Sequence, residues 1–127
     1  LPTVLADKKQ IQIIVENVIE NAILAMPDGG VLTVNLGDGE RETEKSDQVG
    51  VVLLTISDTG VGMTEDILGQ IFNPFFTTRE IGQGKGFGLS IVYNFLQNMG
   101  GSISVTSVPG KGSSFQLEIP VQDQSEV

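Results

Sequence analysis

The sequence contains no cysteine and no histidine among its 127 residues. The first absence excludes disulfides, zinc–thiolate sites and cysteine nucleophiles. The second excludes a Ser-His-Asp triad and imidazole metal ligands. Any bound metal must therefore be a hard ion held by oxygen, such as magnesium. Basic residues are also scarce: seven Lys plus Arg stand against sixteen Asp plus Glu, for a formal net charge of −9. A duplex-binding domain normally presents a basic face, so nucleic acid is not an expected partner. Long apolar runs are missing too. Even 51–56, interrupted by Thr55, is far short of the roughly 20 residues a membrane span needs. No basic, apolar signal segment opens the chain. The expectation is a cytoplasmic piece without direct membrane contact, whatever anchor a longer parent protein carries.

What is present is a globular composition, with 39% hydrophobic residues and 16 glycines that imply many tight turns. The length suits one domain with its own core. That domain is expected to occupy 1–121, followed by a flexible tail over 122–127. A short edge strand is expected at 1–5. Asp7 is then placed to cap a long helix over 8–26, whose apolar stripe is Ile11, Ile14, Val15, Val18, Ala22 and Ala25. Pro27-Asp28-Gly29-Gly30 ends it. Residues 31–36 alternate as a strand, 38–48 read as a charged, exposed connection, and 51–57 as a more buried strand. A short helix over 64–71 and a longer one over 89–99 follow. Gly100-Gly101 stops the latter, and strands 102–107 and 114–120 are joined by Pro109-Gly110-Lys111-Gly112. The predicted fold is an α/β two-layer sandwich (α+β): a mixed, mostly antiparallel five-stranded sheet with about three helices on one face.

Four segments carry chemistry. Asn17 and Asn21 sit four apart and project from one side of the long helix. They fall on the shoulder of its apolar stripe, roughly 60–100° from the centre. A half-buried amide there has its oxygen available to a cation or phosphate; two ordinary surface amides is the alternative. Asp58, in Asp58-Thr59-Gly60-Val61-Gly62-Met63, emerges from the end of an apolar strand. It is an acceptor on a rigid scaffold, suited to an amino group such as adenine's, with glycines that allow close backbone approach. A plain Asp-Thr-Gly turn is the competing explanation. Gly82-Gln83-Gly84-Lys85-Gly86-Phe87-Gly88 runs directly into a helix. Exposed N–H groups and the helix dipole favour an anion at such a start, and Arg79 and Lys85 add positive charge. Neither the Walker ending nor the Rossmann spacing is present. Gly110-Lys111-Gly112-Ser113 by itself reads as a hairpin turn, and Phe72, Phe75 and Phe76 by themselves as core aromatics.

In their order along the chain these segments resemble the GHKL ATPase/kinase superfamily, and within it the catalytic domain of sensor histidine kinases of the nitrogen-regulation type. Glu16-Asn17, Asn21-Ala22 and Ala25-Met26-Pro27 look like the N box. Asp58 to Met63 looks like the first glycine box, and Ile71-Phe72-Asn73-Pro74-Phe75-Phe76-Thr77-Thr78-Arg79 is similar to the F box. Gly84-Lys85-Gly86-Phe87-Gly88-Leu89-Ser90 resembles the second glycine box, and Gly110-Lys111-Gly112-Ser113-Ser114-Phe115 the last. Phe87 stands where leucine is usual, Asn73 for glutamate, Arg79 for a frequent lysine, and Ser113 for threonine.

The resemblance implies the Bergerat fold and roles for particular residues. Asn21 would bind the magnesium that bridges the nucleotide phosphates, supported by Asn17. Asp58 would accept from the adenine amino group, assisted by Ser113 directly or through water. Gly60, Gly62 and Met63 would line the base site. A lid from Phe76 to Gly86, including Thr77, Thr78, Arg79 and Lys85, would cover the nucleotide, with Gly84, Gly86 and Gly88 at the phosphates and Phe87 and Leu89 also in the ATP site. Arg79, Lys85 and Asn21 would assist transfer itself. ATP and Mg2+ are the implied ligands. The implied partners are a dimerisation and histidine-phosphotransfer domain of the same parent kinase and, downstream, a response regulator. The piece itself is expected to be monomeric.

Related gyrase, mismatch-repair and heat-shock ATPases carry a glutamate four residues before the magnesium asparagine, where it activates water. Here that position is Asn17, and a neutral amide is no general base. The expectation is slow hydrolysis and a role as phosphate donor. The histidine that receives the phosphate must lie outside this chain. Two other readings stay open: a hydrolytic or serine-directed GHKL enzyme, and a nucleotide sensor or interaction module that binds ATP without transferring phosphate.

Overall fold

A computed structural model describes residues 8–42, 48–73 and 88–120. Helix α1 runs Lys8–Leu24, strand β1 Leu32–Glu42 and strand β2 Gln48–Asp58. The short helix α2 is Glu65–Leu68, α3 is Gly88–Asn98, β3 is Ser102–Val108 and β4 is Gly112–Pro120. Among the described residues the strands form one sheet in the order β1-β2-β4-β3, with every neighbouring pair antiparallel. This corrects the expectation of a mixed, five-stranded sheet: four strands are described. The two sequential pairs are hairpins, and a hairpin can join only antiparallel strands. The strand expected at 1–5, the Asp7 cap and the tail at 122–127 lie outside the described residues.

A second correction concerns 38–48. Strands β1 and β2 remain paired from Leu32↔Asp58 to Glu42↔Gln48, through most of the segment expected to be a loop. Ladder bonds are made by backbone groups, so charged side chains report exposure and not a loss of pairing.

The helix-facing side of the sheet carries alternate residues of each strand: Ile56 on β2, Phe115, Leu117 and Ile119 on β4, Ile103 and Val105 on β3. Against it pack Ile14, Val18 and Ala22 of α1 and Val92 and Leu96 of α3, with Ile67 and Leu68 of α2 at the margin. The α1 residues are the predicted stripe at helical spacing. Ile14, Ile56, Leu96 and Leu117 are among the side chains fully removed from solvent, each contributing roughly 1.5–3 kcal/mol of hydrophobic stabilisation. No described helix is long and apolar enough to cross a membrane.

The connections are set by local chemistry. Helix α1 tightens as it ends, with Ala25 N–H bonding Asn21 O and Met26 N–H bonding Ile23 O, both at 3.0 Å. The chain cannot continue helically into Pro27. Helix α3 closes in a Schellman motif: Gly101 N–H donates to Leu96 O (2.7 Å) and Gly100 N–H to Gln97 O (3.0 Å), with Gly100 at φ +77°. The β3–β4 turn has Pro109 and then Gly110 at φ +80°, closed by Lys111 N–H to Val108 O at 2.9 Å, a type II arrangement.

Candidate functional site

The apolar face of the sheet ends in a polar row. Asp58 is the last residue of β2, directly across from Ser113 of β4, which in turn pairs with Ser107 of β3. Their strand neighbours two residues away, Ile56, Phe115 and Val105, all belong to the core. Asp58 and Ser113 are each only 7% exposed. Burying a carboxylate is costly unless it is hydrogen-bonded, and Oδ1 of Asp58 accepts from Gly60 N–H at 2.8 Å. This turn within Asp-Thr-Gly fixes the carboxylate and leaves Oδ2 without a hydrogen bond to the described residues.

The loop after Asp58 is clasped from both sides by backbone. Val61 N–H donates to Ala25 O at 2.9 Å, and Gly110 N–H donates to Val61 O at 2.7 Å. A Cβ on Gly60 would lie 2.3 Å from Ala25 O, and one on Gly62, at φ +70°, would lie 2.1 Å from Val108 O. The sequence suggested that these glycines admit a ligand; the close approach found at both is by the protein's own chain. Thr59 fastens the same loop to the Pro27–Gly30 turn by accepting from Val31 N–H at 2.9 Å. The end of α1, the loop beginning at Asp58 and the β3–β4 hairpin are thereby hydrogen-bonded in series.

Asn17 and Asn21 are half-buried on α1, as expected for the shoulder of the stripe. Asn17 Nδ2 donates to Ile13 O at 2.7 Å and Asn21 Nδ2 donates to Asn17 O at 2.8 Å. A carbonyl can only accept, so each amide has its nitrogen turned back along the helix. The other polar atom of each amide is its carbonyl oxygen, an acceptor. That donor set suits a hard cation such as magnesium, which takes few protein oxygens and fills its remaining positions with phosphate and water. Among the described residues no cluster of three or more Asp or Glu offers an alternative metal site.

Ser113 does not bond Asp58 in this structure. Its Oγ lies 2.8 Å from Ser107 Oγ, a residue the sequence reading missed. The signal was available: Ile103, Val105 and Ser107 share one strand face, and the serine breaks its apolar alternation. Met63 is held through its N–H, which donates to Ser107 Oγ at 2.7 Å, and its side chain packs on the core. Gly88 opens α3 and Leu89 packs partly buried on the core. The expected lid and phosphate residues Phe76, Thr77, Thr78, Arg79, Gly84, Lys85, Gly86 and Phe87 lie outside the described residues.

Comparison with known proteins agrees with this arrangement. The chain is 37% identical over 121 residues to the sensor kinase CckA of Brucella abortus, covering 91% of this chain and 13% of that protein. It is 35% identical over 126 residues to sporulation kinase E of Bacillus subtilis, covering 99% of this chain and 16% of that protein. It therefore spans a small part of these relatives. Among solved structures, full-length ShkA in complex with AMPPNP matches 97% of this chain and 24% of its own, with a TM-score of 0.76 and 29% identity. Residues 6–123 match the family described as histidine kinase-, DNA gyrase B- and HSP90-like ATPases, and the chain belongs to that family.

Proposed function

We propose that this domain binds Mg-ATP and donates the γ-phosphate to a histidine on a separate dimerisation domain of a two-component sensor kinase. Membership of an ATPase family supports ATP binding, and relatives named as sensor and sporulation kinases support transfer to a protein. The observation that carries the base site is Asp58. Its buried carboxylate is fixed through Oδ1 by Gly60 N–H, which leaves Oδ2 to accept an amino hydrogen from adenine. Asn21 supplies an oxygen for magnesium, with Asn17 holding it through the Asn21 Nδ2 bond to Asn17 O. Magnesium, when bound, neutralises charge on the phosphates and aligns them for in-line transfer. Such neutralisation is needed on a chain of net charge −9. Arg79 and Lys85 add cationic contacts in this reading, and Gly84, Gly86 and Gly88 offer backbone N–H groups to the phosphates. Asn17 removes the base that would activate water, which favours a phosphate donor over an ATPase.

The partner supplies both the acceptor histidine and its base, and the phosphohistidine then feeds a response regulator. Calorimetric titration with a non-hydrolysable ATP analogue, with and without magnesium, tests the site on wild type and Asp58→Asn. Magnesium-assisted binding that the substitution weakens by about ten- to a hundredfold is expected; a folded wild type that binds nothing overturns the proposal. Transfer of labelled phosphate to an added dimerisation domain separates a kinase from a nucleotide-binding module, and phosphate release without transfer identifies an ATPase.

A further inference from the structure

The chain contains two Asp-Gly dipeptides, Asp28-Gly29 and Asp38-Gly39, and neither is assigned to the nucleotide. Such a pair is chemically reactive. The glycine nitrogen can attack Cγ of the aspartate, because glycine has no side chain to obstruct the approach. The attack requires the backbone to fold back on its own carboxyl group, and the two pairs differ in their freedom to do so.

Asp38 and Gly39 lie within β1, paired with Val52 and Val51 of β2. The ladder holds this backbone extended. A Cβ on Gly39 would lie 3.3 Å from Leu53 Cδ1 and 3.7 Å from Val51 Cγ2, so the segment also packs on β2. Asp28 and Gly29 occupy the turn between α1 and β1, and both are exposed. Gly29 is left-handed at φ +93°, and a Cβ there would meet nothing within 4 Å. Gly29 N–H bonds Met26 O at 3.0 Å across the turn. Opening that solvent-facing bond is a small local event, whereas Asp38 must first part from β2.

We propose that Asp28 is a site of spontaneous isoaspartate formation in the folded protein, with Asp38 protected by the sheet, and that the product is a substrate for a protein-isoaspartate carboxyl methyltransferase. The Gly29 nitrogen bonds to Asp28 Cγ, its proton passes to water, and a carboxyl oxygen leaves as water to give a five-membered succinimide. Water then reopens the ring. Attack at Cγ restores aspartate; attack at the main-chain carbonyl leaves the peptide link running through Cγ and frees the main-chain carboxylate. The sum is an isomerisation that consumes no oxidant, reductant or other reactant. The methyltransferase moves a methyl group from a sulfonium donor to that carboxylate, and the ester closes again to succinimide with loss of methanol.

The test ages the folded chain in warm, near-neutral buffer and, in parallel, the same chain unfolded in urea. Peptide mapping by electron-transfer mass spectrometry distinguishes aspartate from isoaspartate at each site, and labelled methyl transfer by the methyltransferase counts the product. In the folded chain isoaspartate should accumulate at Asp28 at least about tenfold faster than at Asp38, since ladder opening must precede reaction there. In urea the two rates should converge. Asp28→Ala should remove most of the methyl label, and Asp28→Asn, which loses ammonia to form the same succinimide, should gain label faster than wild type. Equal accumulation at both sites in the folded chain, or none at Asp28, overturns the proposal.

Discussion

Asp58 and Ser113 are direct cross-strand partners at the end of the sheet, each nearly buried, and yet Ser113 bonds Ser107 instead of Asp58. Side chains so paired stand about 4.5–5.5 Å apart at Cβ. A carboxylate and a hydroxyl at that spacing, on strands held by the core behind them, form a fixed polar edge to an otherwise apolar surface.

Gly62 of the first glycine segment and Gly112 of the last should prove structural. Gly62→Ala places a Cβ 2.1 Å from Val108 O in a left-handed conformation, and Gly112→Ala places one 2.1 Å from Asp58 O at φ +123°. Both should destabilise the domain by more than about 3 kcal/mol, at the high end for single substitutions. Gly110→Ala, also left-handed but with nothing within 4 Å, should cost only about 1–2 kcal/mol. Urea unfolding would measure the difference.

The amides of α1 should act on the metal-dependent part of binding. Asn21→Ala is expected to lose most of the magnesium-assisted gain in nucleotide affinity, whereas Asn17→Ala keeps the main-chain carbonyl that accepts from Asn21 Nδ2 and should lose little of it. Titrations with and without magnesium isolate that part. Equal losses in both conditions would place the amides elsewhere in the site.

Restoring a carboxylate at Asn17 should move the chemistry toward hydrolysis. Asn17→Glu is expected to raise phosphate release by about ten- to a hundredfold, the lower range for a positioned general base. The substitution also gives up the Nδ2 bond to Ile13 O, so its melting temperature should be recorded beside the rate.

Base recognition should tolerate little change at Asp58. An amide in place of the carboxylate still accepts from Gly60 N–H, so Asp58→Asn should stay folded. It loses a charge-assisted bond to the ligand, which corresponds to about ten- to a hundredfold in affinity. Calorimetry and a thermal melt on the same sample check both halves.

Stability should divide sharply between the two sides of the fold. Leu96→Ala and Leu117→Ala empty fully buried positions and should each cost about 2–5 kcal/mol. Leu36→Ala, on edge strand β1 and 54% exposed, should change stability by under about 1 kcal/mol. Chemical denaturation of the three variants gives the comparison.

Much of this was legible in the residues themselves. The spacing of Ile14, Val18 and Ala22 marks the buried face of α1 whatever its neighbours, because a helix repeats every 3.6 residues. Pro27 and Gly100 mark helix ends, because one cannot continue a helix and the other readily adopts the left-handed cap. The order of Asn21, Asp58 and the glycine segments indicated the family. The charged stretch 38–48 misled, since composition reports exposure while pairing is decided by backbone and register.

The sequence by itself therefore determined the local elements, the apolar faces and the identity of the polar candidates, all of which depend on residues a few positions apart. Only the tertiary structure decided which of those candidates meet. Asp58, Ser107 and Ser113 form one row through strand register, and Gly60 and Gly62 face Ala25 and Val108 across the loop. Contacts between residues tens of positions apart follow from how the sheet is ordered and how the loop after β2 is held between the end of α1 and the β3–β4 hairpin. No local periodicity encodes that geometry.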